Sequence, residues 1–384
     1  MDETTSVMAA DRPLKIAIDA RELTSSKPGG YRSYVAGLIT GLAEVDNVNE
    51  YILYVDDDAL PESVKLPRRS RVRVVRGSRI LLDMLKLPRQ LKTDAPDLVH
   101  FPCNYALPGL NIPYLMTVHD CFFLEERLAL HSFKRQALNR YTAAMCKRSI
   151  RHARAILTVS NYSRSEIIRR LNPRTDVVVV YPGCPPAHIR DGLEIGQVST
   201  TEPGEPYMLF LGSVDPRKNS AIVVKAFART QAARNACKLV SVCANAASAD
   251  KMTRLAEEYD LTSKLKTLTN VNDWCLRELF KGAIGFIFPS LKEGFGLPPI
   301  EAMSHGCPVI ASNTTAIPEV LGEAALYFDP RNADELAQKI ELLWQDKDVR
   351  EGLARRGLEH SIKYNWHSAA RDVLGVYECV GSNS

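Results

Sequence analysis

Residues 284–303 read Ile-Gly-Phe-Ile-Phe-Pro-Ser-Leu-Lys-Glu-Gly-Phe-Gly-Leu-Pro-Pro-Ile-Glu-Ala-Met. Ile284 to Phe288 is an apolar run of the length of a buried strand. Pro289 ends it, because proline brings no backbone N–H to a sheet. Gly294 and Gly296 then bracket Phe295 in a loop. Leu297 leads into Pro298 and Pro299, which suit the first turn of a helix, and Ile300-Glu301-Ala302-Met303 continues that helix. A strand, a glycine loop and a helix in this order point backbone N–H groups and the positive helix end at whatever sits above the strand. The same stretch holds two carboxylates, Glu293 in the loop and Glu301 in the helix's first turns. Each can clamp the neighbouring hydroxyls of a sugar, while the amides suit a phosphate. Together these features describe a sugar-nucleotide site. A plain glycine turn with two solvated glutamates is the other reading of the same residues.

Glu293-Gly-Phe-Gly-Leu-Pro-Pro-Ile-Glu301 resembles the E-x7-E signature of the retaining glycosyltransferases of family 4. That resemblance implies the GT-B fold, an α/β architecture of two doubly wound, Rossmann-like domains facing one another across a cleft. In that fold a C-terminal helix crosses back to the first domain. Gly294, Phe295, Gly296 and Leu297 would then line the donor pocket. Glu293 would hold hydroxyls of the donor sugar, and Glu301 the ribose diol.

Upstream, Pro206-Tyr-Met-Leu-Phe-Leu-Gly212 opens a set of alternating strands and helices, and its loop is Ser213-Val-Asp-Pro-Arg-Lys-Asn219. Two adjacent cations before a helix suit a diphosphate: Arg217 offers a planar fork and Lys218 a point charge. A solvated basic turn is the alternative. The order Gly212, Ser213, Arg217, Lys218, Asn219 is similar to the family's diphosphate clamp. Strands are expected at Leu239–Cys243, Leu265–Leu268 and Cys307–Ser312. After the first of these the chain has Ala244-Asn245 where many family members carry glycines, a departure that bears on that loop. The family places the loop Asn270-Val271-Asn272-Asp273 against the nucleotide base, largely through backbone atoms, and Val271 is carried over on that ground. Closing helices are expected over Ala333–Gln345, Val349–Tyr364 and Trp366–Val380.

The first half follows the same alternation. Strands are expected at Leu14–Asp19, Tyr51–Val55, Val72–Val75, Asp97–Phe101, Pro113–Val118, Ala155–Ser160 and Val177–Tyr181. Gly29-Gly30-Tyr31 opens a helix whose apolar residues Tyr34, Val35, Leu38, Ile39 and Leu42 recur at helical spacing. The strand–Gly-Gly–helix start resembles the family's loop between donor phosphate and acceptor; a simple turn would also use those glycines. Pro113–Val118 delivers His119-Asp120 to the carboxyl end of its strand, the favoured ligand edge of a parallel sheet. A histidine there can donate to a hydroxyl or carbonyl oxygen, and the family places it near the donor sugar. Ser160 faces the cleft in the family pattern, or only caps the helix that starts at Asn161. Asp56-Asp57-Asp58 is read as a polar turn, since three consecutive side chains cannot face one ion. Basic helices are expected over Arg79–Leu91 and His131–Arg154.

The expected domains are residues 1–190, a linker at 191–205 rich in Gly, Pro and polar residues, a nucleotide-sugar domain at 206–364 and a final helix at 365–384. A chain of 384 residues suits two cores, and its 45% hydrophobic and 24% charged residues are ordinary for a soluble protein. Nine scattered cysteines without CxxC spacing read as reduced thiols of a cytoplasmic protein. No apolar run reaches membrane-spanning length, and the polar start, Met1 to Asp11, reads as a frayed tail. There is no repeat at solenoid spacing and no low-complexity tract. Residues 1–190 hold 28 Lys and Arg against 20 Asp and Glu, whereas residues 191–384 hold 21 against 25. The basic half contains an acid-free stretch from Arg127 to Ser165 and a run from Lys65 to Lys92 whose one acid is Asp83. Such runs suit an anionic partner, such as the inner face of a membrane with a lipid-linked acceptor, or form a solvated positive surface. Neither lies in a nucleic-acid motif.

The resemblance thus implies a hexosyltransferase moving sugar from a nucleotide diphosphate sugar to a glycan, lipid-linked or small-molecule hydroxyl. Its site residues are His119, Arg217, Lys218 and Glu293, with no cofactor and no metal. Its subgroup motifs are Asp-Pro-Arg-Lys-Asn, Pro-Ser-Leu-Lys-Glu-Gly-Phe-Gly-Leu-Pro and, over residues 324–330, Ala-Ala-Leu-Tyr-Phe-Asp-Pro. These resemble mannosyltransferase B-like enzymes of polysaccharide synthesis, which points to GDP-mannose ahead of UDP-sugars. A phosphorylase, an epimerase and a non-catalytic sugar-nucleotide-binding protein are the competing classes.

Overall fold

The computed structural model describes residues 12–25, 29–125, 133–184 and 205–382. The chain divides into two compact units, residues 1–183 with 366–384, and residues 184–365.

The first unit is built on seven strands: β1 Lys15–Asp19, β2 Glu50–Val55, β3 Ser70–Val74, β4 Leu98–Phe101, β5 Tyr114–Thr117, β6 Ala155–Thr158 and β7 Val177–Val179. They pair in parallel in the order β3-β2-β1-β4-β5-β6-β7. The second unit has six: β8 Tyr207–Gly212, β9 Lys238–Cys243, β10 Leu265–Thr269, β11 Gly285–Phe288, β12 Val309–Ser312 and β13 Ala325–Phe328. These are also parallel, in the order β10-β9-β8-β11-β12-β13. Both sheets are doubly wound, and the strand order reverses between β1 and β4 in one and between β8 and β11 in the other. Strands such as Leu98–Phe101 and Gly285–Phe288 are buried at every residue, as helices on both faces of a parallel sheet require.

The last helix, Trp366–Ser382, belongs to the first unit and packs on the helix Gly30–Val45. Two glycines make the approach possible. A Cβ on Gly37 would stand 2.0 Å from the Trp366 indole. From the last helix, Tyr377 places its hydroxyl 2.7 Å from His100 Nδ1, while His100 Nε2 lies 2.8 Å from Thr117 Oγ1. Burial holds His100 neutral, with its pKa lowered to about 3.

Several boundaries differ from the sequence reading. The first unit ends at Gly183, seven residues before the expected domain end, because Cys184 already pairs with the far end of the second unit. Its N–H donates to Tyr364 O at 2.9 Å. The expected linker lies outside the described residues apart from Glu205, and the N-terminal tail lies outside them entirely. The helix expected from His131 to Arg154 is described over Phe133–Ser149. A strand absent from the reading, β13, forms the edge of the second sheet.

The basic run is less free than its composition suggests. Arg71 and Arg73 both reach Asp94, at 3.2 and 3.1 Å; Arg69 reaches Glu50 at 3.1 Å and Arg76 reaches Asp58 at 3.4 Å. Asp83, buried, takes Arg21 at 2.8 Å and accepts from the hydroxyls of Tyr105 and Tyr141, both at 2.8 Å. The aspartates of residues 56–58 turn to separate partners. Asp56 accepts from Thr24, Asp57 from the Ala59 N–H, and Asp58 pairs with Arg76. No disulfide joins any of the nine cysteines. Among the described residues no helix is long and apolar enough to cross a membrane.

Candidate functional site

Gly212, Ser213, Arg217, Lys218, Asn219, Glu293 and residues 294–296 lie on the loops leaving β8 and β11, where the strand order of the second unit reverses. Gly212 ends β8. A Cβ there would lie 2.2 Å from Ser241 Oγ and 2.7 Å from Cys243 Sγ, so only glycine lets β9 lie this close. The next residue, Ser213, donates its N–H to Ser220 Oγ at 2.9 Å, and its carbonyl accepts from Lys251 Nζ at 3.3 Å. Asp215 then caps the tight turn Pro216–Lys218, accepting from Arg217 N at 3.0 Å. The same carboxylate receives Arg217 Nε at 3.2 Å and Nη2 at 2.8 Å. Arg217 is thereby oriented by its own loop.

Lys218 goes the other way. Its Nζ donates to Glu293 Oε1 at 2.7 Å and stands 5.7 Å from the centre of the Phe288 ring. The two loops are stitched together beneath this pair. Leu291 N donates to Arg217 O at 2.7 Å, and Asn219, in left-handed conformation at φ +50°, donates from Nδ2 to Pro289 O at 3.2 Å and Pro330 O at 2.8 Å. Glu293 is held from behind by its N–H to Thr315 Oγ1 at 3.1 Å. Gly296 has φ +102°, a conformation that side chains rarely take, and it turns the chain into the helix Leu297–Ser304. Phe295 is buried with its ring edge-on to Tyr364 at 5.5 Å.

Glu301 lies in that helix. Burial raises its carboxyl pKa to about 7; the nearby Asp273 charge adds to the rise and Arg277 opposes it. Asp273 opens the helix Asp273–Gly282, capped by Asn272, which accepts from Cys275 N at 2.8 Å. Val271 sits just before that cap, in the loop that follows β10.

In the first unit the candidates also sit at a carboxyl edge. Gly29 and Gly30 precede and open the helix Gly30–Val45, and a Cβ on either would meet open space. Tyr31 accepts from Asn104 Nδ2 at 2.7 Å, and Asn104 Oδ1 accepts from His119 N at 2.7 Å. The His119 ring stands edge-on to Tyr31 and Tyr34, at 5.0 and 4.6 Å. Its Nε2 lies 2.7 Å from Pro102 O, so that nitrogen carries the hydrogen. Burial lowers the pKa to about 4 and keeps the ring neutral. The expectation of a histidine donating to substrate is corrected accordingly: its N–H is spent on Pro102, and Nδ1 is left as an acceptor. Ser160 is fully buried and accepts from Ser163 N at 3.0 Å. It caps the helix Asn161–Leu171.

The sequence reading passed over Asp215, Lys251, Thr315 and Arg277, and named Asp273 only as part of the loop after β10. Asp215 had a local signal, an aspartate before Pro-Arg that can cap the amide two residues on. The others reach the site only through folding.

The sequence profile described as "Glycosyltransferase Family 4" matches residues 28–188, and the profile described as "Glycosyl transferases group 1" matches residues 193–360. O-antigen chain mannosyltransferase B of Escherichia coli is 27% identical over 372 residues, covering 91% of this chain and 96% of that protein. Among solved structures, sucrose-phosphate synthase from Thermosynechococcus elongatus superposes with a TM-score of 0.74 at 21% identity, covering 97% of this chain and 100% of that one. Anabaena HepE in complex with UDP and glucose superposes at 0.68 with 17% identity, covering 95% and 100%. Both likenesses are of fold, the two-sheet GT-B architecture.

Proposed function

We propose a specific reaction for this chain, which belongs to glycosyltransferase family 4 and is a hexosyltransferase: transfer of mannose from GDP-mannose to a glycan hydroxyl in O-antigen-type polysaccharide synthesis. The observation that carries it is the Lys218–Glu293 contact of 2.7 Å across the reversal point of the second sheet. It sets a cation for a diphosphate and a carboxylate for sugar hydroxyls side by side.

Breaking the anomeric bond develops negative charge on the departing nucleoside diphosphate. Lys218 and Arg217 are read as the groups that stabilise this charge, held in place beforehand so that no reorganisation is needed when it forms. On this reading the protein's own cations do the work and no metal is required. Glu293 orients the sugar by accepting from its hydroxyls, and Glu301, ionised, accepts from the ribose diol. Attack by the acceptor hydroxyl on the face the diphosphate leaves, with the hydroxyl proton passing to the departing diphosphate oxygen, gives retention. In the first unit, Gly29, Gly30 and Tyr31 are read as the acceptor side, and His119 as a sugar contact whose Nδ1 accepts a hydrogen bond.

Two observations favour mannose carried by GDP. The Escherichia coli relative, which matches over nearly its whole length, is a mannosyltransferase by name. Asp273 is close enough for its charge to act on Glu301; if the loop after β10 meets the base, this carboxylate would supply an acceptor that suits the N–H donors of guanine. The test is a thermal-shift panel of GDP-mannose, GDP, UDP-glucose and UDP, followed by mass spectrometry of products with glycan acceptors. A ligand at a hundred times its Kd adds about 2.7 kcal/mol of stability. GDP-mannose should stabilise most and give a product one hexose heavier. Stronger stabilisation by the UDP ligands would reject the donor, and transfer by a protein lacking both Arg217 and Lys218 would reject the clamp.

A further inference from the structure

The helical segment joining β3 to β4 is wound in three pieces, Arg79–Leu81, Leu82–Lys86 and Leu87–Asp94, the middle one a π-turn. Pro88 accounts for the widening. It has no N–H for the carbonyl one turn back, and its ring crowds that carbonyl. The segment is two-faced. Leu82, Asp83, Leu87 and Leu91 are buried against the sheet. Ile80, Leu81, Met84 and Leu85 face outward with relative exposures of 63, 39, 56 and 47%. Four large apolar side chains on one exposed helical face exceed the scattered apolar residues of an ordinary surface.

The same face continues into the exposed cations Lys86, Arg89 and Lys92. Lys86 also donates to Arg76 O. It presents no carboxylate, since Asp83 is buried under Arg21, Tyr105 and Tyr141, and Asp94 is buried and taken by Arg71 and Arg73. The apolar end lies at the carboxyl edge of the sheet. Arg79 Nε donates to Tyr105 OH at 2.9 Å, just past β4, and Asp83 holds Arg21, just past β1. Gly29, Tyr31 and His119 lie on that edge too.

We propose that this segment docks the protein on an anionic lipid bilayer. Ile80, Leu81, Met84 and Leu85 enter the boundary between headgroups and acyl chains, and Lys86, Arg89 and Lys92 lie against the lipid phosphates. Charge decides between occupants. A second copy meeting this face would bring like cations against one another, whereas an anionic surface complements them. The position would also bring a membrane-bound acceptor to the edge that carries Tyr31 and His119. That last consequence rests on the transferase reading; the docking does not.

The test is flotation of the full chain with vesicles, without sugar nucleotide. One set is phosphatidylcholine with phosphatidylglycerol, the other phosphatidylcholine alone. The wild type should float with the anionic vesicles and much less with the neutral ones. Ile80→Ser with Met84→Ser and Leu85→Ser removes exposed side chains only, so its circular dichroism and melting temperature should match the wild type. Its partitioning should fall by at least about tenfold. Lys86→Glu with Arg89→Glu and Lys92→Glu should lose anionic binding. The same reversal at Lys147, Arg148 and Arg151, near the end of Phe133–Ser149 and away from this edge, should change little. Equal flotation of the serine variant, or equal loss from both charge reversals, would overturn the proposal. So would a wild-type dimer in sedimentation velocity that the serine variant dissociates. Vesicle binding by a protein that transfers no sugar would count against the transferase reading alone.

Discussion

Gly41 lies against the backbone of Trp366 so closely that a Cβ on the glycine would stand 2.5 Å from the Trp366 carbonyl oxygen and 2.9 Å from Ala370 Cβ. This contact fastens the last helix of the chain to the first unit, beside the helix that begins at the candidate loop Gly29-Gly30. Gly41→Ala must push the two helices apart, and backbone cannot yield as a side chain can. We expect a loss of about 1–3 kcal/mol or more in urea unfolding. A change below about 0.5 kcal/mol, the range of ordinary surface substitutions, would mean the helices are not held this closely.

Lys218→Ala removes the cation from its 2.7 Å contact with Glu293. If Lys218 stabilises the leaving group, kcat should drop by about a hundredfold to a thousandfold, the range found when one preorganised donor is lost. The melting temperature should barely move, because the pair is partly exposed and such pairs contribute little to stability. A variant with a raised KM and an unchanged kcat would limit Lys218 to ground-state binding.

Asp215 is a positioning residue, since it acts through Arg217. Asp215→Asn keeps an oxygen for the Arg217 N–H, now at 3.0 Å, but loses the charge that orients the guanidinium. The expected result is a fall in kcat of about tenfold with near-normal stability. Asp215→Ala should lose in addition about 1 kcal/mol, because the cap disappears. Equal stability of the two variants would show that the cap carries no weight.

Glu301 gives the site a pH dependence whose sign is fixed. Its folded pKa of about 7 lies above the ordinary 4.5. Its favourable contribution to folding is therefore complete below 4.5 and is lost as pH rises through 7. Glu301→Gln should be more stable than wild type at pH 8 and gain nothing at pH 4.5, by thermal denaturation at both. Nucleotide affinity should run the other way. A ribose clamp needs the carboxylate, so Kd should rise about tenfold per unit as pH falls below 7, and the glutamine variant should show no such slope. A flat wild-type profile would remove Glu301 from the clamp.

Tyr377→Phe deletes the hydroxyl 2.7 Å from His100 Nδ1 and leaves a buried ring nitrogen without its partner. A cost of about 1–3 kcal/mol is expected, read by denaturant unfolding. Activity on a soluble acceptor should persist at permissive temperature, because His100 is fully buried beneath the sheet edge.

The two-domain α/β plan was legible because its parallel strands are covered on both faces. Each then reads as a short unbroken apolar run, as Ile-Leu-Tyr-Val in β2 and Phe-Ile-Phe in β11 do. The edge strand β13 escaped that reading: only its ends are buried, and four residues carry little pattern. The loops bearing Arg217-Lys218 and Glu293 were also legible, since proline and glycine punctuate them locally. What Lys218 does was not, because Glu293 lies 75 residues along the chain and meets it only when β8 and β11 pair. Nor was the tautomer of His119, fixed by a carbonyl 17 residues earlier, nor the neutralisation of the basic run by Asp94, Glu50 and Asp58. Backbone preference and burial periodicity act between near neighbours, so the sequence determined the elements and their order. Hydrogen bonds and charge pairs act across whatever distance the fold closes, so only the tertiary structure decided which side chain answers which.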